Sequence, residues 1–256
     1  MRGIANRQKK NVVPRREYLR AKTVLQSKER LPQRERILAG KLSAARPNRT
    51  EGQMQRLRID PEHPKMRHIQ RAVEVLRSGG VIIYPTDTIY GLGCDIFNRD
   101  AVKRVYHIKG KNYKSPLSFI CPDLKEISRY AYVSNMAYRI MRKALPGPYT
   151  FVLPATNLVP KLLLSNRKTV GIRVPDHPIC LELLKQFGGP IVSTSVVGEN
   201  GELLNDPDEI ERQYKHRVDL MLDAGILGLT PSTVVDLTSE KPVILREGKG
   251  DPTLIY

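Results

Sequence analysis

Cysteine is scarce in this chain and tryptophan is absent. The three cysteines, Cys94, Cys121 and Cys180, are an odd number and form no C-x-x-C pair. Both features count against a disulfide framework and a zinc ribbon, and a reducing cytosol is the expected setting. Apolar runs are short: Gly80-Val81-Ile82-Ile83-Tyr84 is typical, and none approaches the roughly 20 residues that cross a bilayer. No charged-then-apolar leader of the secretory kind is present. Familiar catalytic fingerprints are also missing. Neither G-x-x-x-x-G-K-[ST] nor G-x-G-x-x-G occurs, and there is no G-x-S-x-G elbow and no H-E-x-x-H. Histidines 63, 68, 107, 177 and 216 are scattered without metal-ligand spacing, so no metal site is expected. With 256 residues the chain is too long for a disulfide mini-protein and fits one large or two modest domains. A soluble, cytoplasmic protein without a membrane partner is the reading.

What is abundant is positive charge, and it is unevenly spread. Of the formal +17, residues 1–65 carry 18 Lys and Arg against 6 Asp and Glu, whereas residues 66–256 carry 25 against 20. The basic quarter shows no sustained 3.6 or 2.0 apolar period, so it cannot bury enough surface to offset a backbone ordering cost of about 1–2 kcal/mol per residue. Residues 1–53 therefore read as a basic, disordered extension. Three roles fit it: an arm that contacts nucleic-acid phosphates, an organellar transit peptide (against which its acidic residues count), or a solvated tail lying upstream of a later start. Met54 and Met66 both lie where ordered patterning begins, as a later start requires.

From Leu57 onward the texture is that of a folded domain, taken as residues 54–256. Helical spacing predicts helices over Arg67–Ser78, from a cap at Asp100 to about Ile108, from a cap at Ser134 to about Leu145, after Asp176 as far as Gly188-Gly189, and over Asp206–Tyr214. Strands are predicted over Val81–Tyr84, Pro116–Cys121, Tyr149–Leu153, Val170–Val174, Ile191–Ser195, Val218–Leu222, Thr233–Leu237 and Val243–Arg246. Irregular alternation of this kind packs as one α/β domain around a twisted, mixed sheet.

The chemistry-bearing residues cluster at strand ends. Tyr84–Gly91 leaves a strand with two hydroxyls, a carboxylate and a proline-fixed backbone. Lys109-Gly110-Lys111 follows a helix, and Ser115 precedes a strand. Thr169 and Arg173 stand four apart, hence on one face of their strand, and Ser193 and Ser195 likewise share a face. Ser232 and Arg246 sit at the start and end of later strands. Lysines supply compact charge for phosphates, arginine offers a two-point fork for a carboxylate, and hydroxyls reach phosphate or ribose. Jointly these residues fit a site for an anionic, phosphate-bearing ligand.

In this order the segments resemble the YrdC family of threonylcarbamoyl-AMP synthases, with the closest texture in the YciO branch. The landmarks are YPTDTIYGLG (84–93), PGPYT (146–150), TVGIRVP (169–175), STVVD (232–236) and LREG (245–248), and the likeness spans about residues 57–251. The resemblance implies an α/β fold with a twisted mixed sheet, flanking helices and a concave basic face. It implies a nucleotidyltransferase that forms threonylcarbamoyl-AMP and pyrophosphate from ATP, bicarbonate and L-threonine, for tRNA threonylcarbamoyladenosine modification, with Mg2+ accompanying ATP. By position, Lys109 and Lys111 would be catalytic. Thr88, Arg173, Ser193 and Ser232 would bind threonine. Lys111, Ser115, Thr169, Ser193, Ser195 and Arg246 would bind ATP.

Three positions depart from the family's pattern. Its K-x-R is Lys109-Gly110-Lys111 here, which keeps charge but loses a planar fork. Its S-x-N is Ser193-Thr194-Ser195, which loses an amide. Ile120 stands where many synthases place histidine. A changed ligand, a reduced activity, or an RNA-binding protein (for tRNA or double-stranded RNA) on the same fold are the alternatives these departures raise. On the RNA reading, removing residues 1–53 weakens RNA binding and flattens its salt dependence; a truncated chain with unchanged affinity and slope rules the arm out as a binding element.

Overall fold

A computed structural model of the chain describes residues 53–110 and 117–256. The basic extension up to residue 52, Lys111 and Ser115 lie outside the described residues. Within them, the strands are β1 (Gln55–Arg58), β2 (Ile82–Tyr84), β3 (Gly91–Gly93), β4 (Ser118–Ile120), β5 (Tyr149–Pro154), β6 (Thr169–Arg173), β7 (Ile191–Ser195), β8 (Leu220–Asp223), β9 (Thr233–Asp236) and β10 (Val243–Arg246). The helices are α1 (Met66–Arg77), α2 (Arg99–Ile108), α3 (Leu124–Tyr130), α4 (Asn135–Ala144), α5 (Pro178–Phe187) and α6 (Pro207–Tyr214). No helix among the described residues is long and apolar enough to cross a membrane.

The helix ends follow local chemistry. Ser134 caps α4 by accepting from the Ala137 N–H, and Gly188, in the left-handed region at φ 80°, closes α5. The cap of α2 is Asn98, not Asp100: the Asn98 side chain accepts from the Ala101 N–H, and Asp100 lies inside the first turn, where its charge suits the helix dipole. Three elements were not expected from the sequence: β1, β3 and the seven-residue α3, whose start was nonetheless marked by Asp123 three residues before Glu126. Gly-Leu-Gly in particular has no strand propensity of its own, and β3 exists because β2 and β7 flank it.

All ten strands join in one mixed sheet, ordered β1-β8-β2-β3-β7-β4-β6-β5-β9-β10. The pairs β1/β8, β2/β8, β4/β6 and β5/β9 are parallel, and the others antiparallel. Strand side chains alternate between faces. On one face Leu92, Val192, Phe119, Ile172, Phe151 and Val235 join a large core with the buried sides of α2, α3, α4 and α6. On the other, α1 and α5 cover Ile82, Tyr84, Leu220, Leu222, Ile191 and Ile120. Helical cover on that second face is partial. Beyond it, the alternate residues of β4 to β7 are mostly small or polar, as at Ser118, Thr150, Gly171 and Ser193, with the valines Val152 and Val234 beside them.

One close approach fixes the landmark glycines. Tyr84 pairs with Gly91 across the β2/β3 ladder, and its ring lies over β3. A Cβ on Gly93 would stand 2.0 Å from the Val192 carbonyl oxygen and 2.9 Å from the Tyr84 ring. Because the obstacle is backbone, Gly93→Ala is expected to destabilise by about 3 kcal/mol, read as a lowered denaturation midpoint. A melting curve indistinguishable from the parent would contradict the close approach.

Candidate active site

The uncovered half of the second face is the floor of a cavity of about 310 Å³. Its wall brings together Thr88, Thr169, Arg173, Ser193, Ser195, Ser232 and Arg246, seven of the ten residues singled out in the sequence. Lys109 stands just behind it, with its ammonium donating to the Ser195 carbonyl at 2.8 Å. Lys111 and Ser115 fall outside the described residues. Ile120 does not line the cavity: it is fully buried under α5, in register with Ile191 and Arg173. Its apolar side chain belongs to the core there, beside the wall residue Arg173.

The register explains the convergence. Ser118 is opposite Ser193, and Gly171 opposite Val152, so their side chains rise from one patch of floor. Gly171 leaves that patch open, since a Cβ there would lie 2.5 Å from Ser118 Oγ and 3.4 Å from Thr150 Cγ2. At the deep end Arg173 is buried; it donates through Nη1 to Thr88 Oγ1 at 2.9 Å and through Nη2 to the Asp87 carboxylate. Thr88 Oγ1 is in turn 3.1 Å from Thr86 Oγ1, and Thr86 donates to the Ile89 carbonyl at 2.6 Å. Those bonds hold the loop after β2 in one shape.

A second chain of bonds holds the opposite wall. Thr150 Oγ1 and Ser232 Oγ are 2.8 Å apart, and the Arg246 guanidinium donates to the Ser232 carbonyl at 2.7 and 3.2 Å. Burial, and then the charge of Arg173, pull the Arg246 pKa below its ordinary value, although a guanidinium stays protonated. Thr169 Oγ1 meets Ser165 Oγ at 2.6 Å. Lys249 donates to the Asp87 carbonyl at 2.6 Å, and its own N–H bonds the Pro231 carbonyl, so one residue ties the two walls together.

Sequence reading gave no site role to Ser118, Thr150, Gly171 or Lys249, nor to Asp87, whose carboxylate it noted after β2 without assigning it a partner. Thr150 was legible in principle, since it alternates with the core residues Tyr149 and Phe151. The pairing of Asp87 with Arg173, 86 positions apart, carried no signal in the chain. Beneath this pair sit groups that the cavity does not expose. Burial pushes the Cys180 thiol far above its usual range, and it also lowers the pKa of His177 despite the neighbouring charges of Asp87 and Asp176.

A fold with this sheet and this wall of hydroxyls and guanidiniums defines an α/β protein with a polar, basic cavity over the floor of β4 to β7. Comparison with known proteins supplies the family. The Sua5/YciO/YrdC family model, described as "Telomere recombination", matches residues 74–248, and the chain belongs to that family. The chain is 45% identical over 195 residues to the uncharacterized protein YciO of Escherichia coli, covering 75% of this chain and 95% of that one. The crystal structure of E. coli YciO superposes with a TM-score of 0.76 at 43% identity, over 79% of this chain and all of that one. A putative threonylcarbamoyl-AMP synthase of Methanocaldococcus jannaschii is 36% identical over 172 residues, 67% of this chain and 81% of that one. The crystal structure of P. abyssi Sua5 complexed with L-threonine superposes with a TM-score of 0.70 at 29% identity, over 76% of this chain and 57% of that one.

The lowered His177 pKa sets a direction with pH. Unfolded, the imidazole titrates near 6.5; folded, it resists protonation, so below about pH 6.5 the unfolded chain takes up more protons and stability falls. His177→Gln is expected to melt at a temperature that drops less between pH 7 and 5 than the parent's, over about the window that the ordinary imidazole value defines. Parallel pH profiles would show that His177 contributes nothing to acid sensitivity.

Proposed function

We propose that the cavity is a nucleotidyltransferase site that joins AMP to threonylcarbamate, consuming ATP, bicarbonate and L-threonine and releasing pyrophosphate. The observation that carries this reading is the convergence of Thr88, Arg173, Ser193, Ser195, Ser232 and Arg246, from five separate stretches of chain, on one cavity. Membership of a family whose relatives are named threonylcarbamoyl-AMP synthases supports the reaction class. The likeness to a Sua5 structure complexed with L-threonine supports the amino acid.

The chemistry asked of the wall is modest and of a kind that it can supply. A carbamate oxygen attacks the α-phosphorus of ATP and pyrophosphate departs, so negative charge builds on the transferring oxygens. The carbamate is already an anion, and no general base is needed for that step. Fixed cations and hydroxyl donors in a shielded hollow stabilise the charge, and holding both substrates in line supplies much of the remaining rate. In this reading Arg173 and Thr88 hold the carboxylate end of threonine, with Ser193 and Ser232 beside it. Thr169, Ser195 and Arg246 face the nucleotide, and Lys109 and Lys111 face its phosphates with Ser115 nearby. The described wall carries no carboxylate, so Mg2+ finds no protein cage there and enters as the counterion of ATP.

Lys109, from the K-x-K segment, donates to the main-chain carbonyl of Ser195, from the S-x-S segment. A main-chain acceptor serves this lysine whatever side chain position 195 carries, which supports retained activity with serine there. Purified full-length protein given ATP, bicarbonate and L-threonine is expected to release pyrophosphate, and Lys111→Ala to slow release by roughly a hundredfold. Absence of release above that variant's level would overturn the assignment.

A further inference from the structure

The two cations of the described cavity wall are held in different ways. Arg173 is 7% exposed and its charge is met by the Asp87 carboxylate. Asp87 does not line the cavity; it approaches the guanidinium from beneath the wall. Arg173 Nε and Asp87 Oδ2 are both buried without a further partner. They belong to groups already bonded to each other, so a small rotation closes a two-point fork between them. His177, close enough for Asp87 to act on its charge, is kept towards its neutral form by burial and adds no competing cation near neutral pH.

Arg246 has no such companion. Its hydrogen bonds go to the carbonyl and hydroxyl of Ser232, and among the described residues no carboxylate pairs with it. The charge felt most strongly at Arg246 is that of Arg173, of the same sign. The nearby ammonium of Lys249 lies in solvent on the Asp87 carbonyl, where water and salt screen it.

We propose that Asp87 is a positioning residue that polarises the cavity. By neutralising Arg173 it turns that guanidinium into a hydrogen-bond donor suited to a ligand of no net charge, such as an amino-acid zwitterion. Arg246 is then the seat of net negative charge, a nucleotide phosphate. The inference rests on the reading of the cavity as a site for an amino acid beside a nucleotide. A buried ion pair that loses one partner leaves an uncompensated charge, and an anion entering the cavity relieves it. Asp87→Asn should therefore recruit anions to Arg173 that the parent does not hold there.

The test uses the full chain and inorganic pyrophosphate alone, by calorimetric titration and by the rise in melting temperature. Asp87→Asn is expected to bind pyrophosphate about tenfold tighter than the parent, and Arg246→Gln about tenfold weaker. The double variant Asp87→Asn with Arg173→Gln, which removes both charges of the pair, is expected to stay within about threefold of the parent. Should Asp87→Asn fail to fold, the contrast between the double variant and Arg246→Gln decides. Pyrophosphate binding by Asp87→Asn no tighter than the parent's, or by the double variant as weak as by Arg246→Gln, would overturn the proposal. No amino acid is present in these titrations, so their outcome is separate from whether the protein makes threonylcarbamoyl-AMP.

Discussion

The site depends on unequal cover of a two-faced sheet. A strand that is buried on both sides is apolar on both sides, as β2 is and as β8 is up to its last residue, Asp223, which Arg56 pairs. Strands β4 to β7 and β9 leave the shelter of α1 and α5 and keep an apolar set on the face that packs against α2, α3, α4 and α6. Their other set is free to be serine, threonine, glycine and arginine without forfeiting core burial. The cavity exists because helical cover ends partway across a continuous sheet.

Within that opening, hydrogen bonds do the work that packing does elsewhere. Thr86, Thr88 and Asp87 hold Arg173 from one side, while Thr150, Ser232 and Arg246 hold one another on the opposite wall. Each side chain on these chains has at least one protein partner before any ligand arrives, which keeps the wall preorganised and lowers the ordering cost of binding. Lys249 fastens the two walls by a side-chain bond to one and a main-chain bond to the other.

The departures from the family's motifs divide along the same physical lines. Ile120 is a core residue here, buried in the cluster that α5 joins, where an apolar side chain packs. Ser195 lines the cavity and offers a main-chain carbonyl to Lys109, a role that does not depend on its side chain. A substitution read in the sequence as a change in chemistry thus turns out in one case to concern the core, and in the other to leave a backbone contact intact.

Alternation and capping are local properties, and so the sequence alone marked most of the strands, the ends of α4 and α5, and the seven wall residues that lie on or near the ends of strands. Spacing of two along a strand is enough to place Thr169 with Arg173 and Ser193 with Ser195. Three things were settled only by the tertiary structure. β3 is a strand because its neighbours make it one; Gly93 is required because the Val192 carbonyl comes within 2.0 Å of where a Cβ would stand; and Asp87 neutralises Arg173 from 86 residues away. Each of these is a contact between distant segments, and its energy belongs to a pair of positions rather than to any residue's own propensity or period.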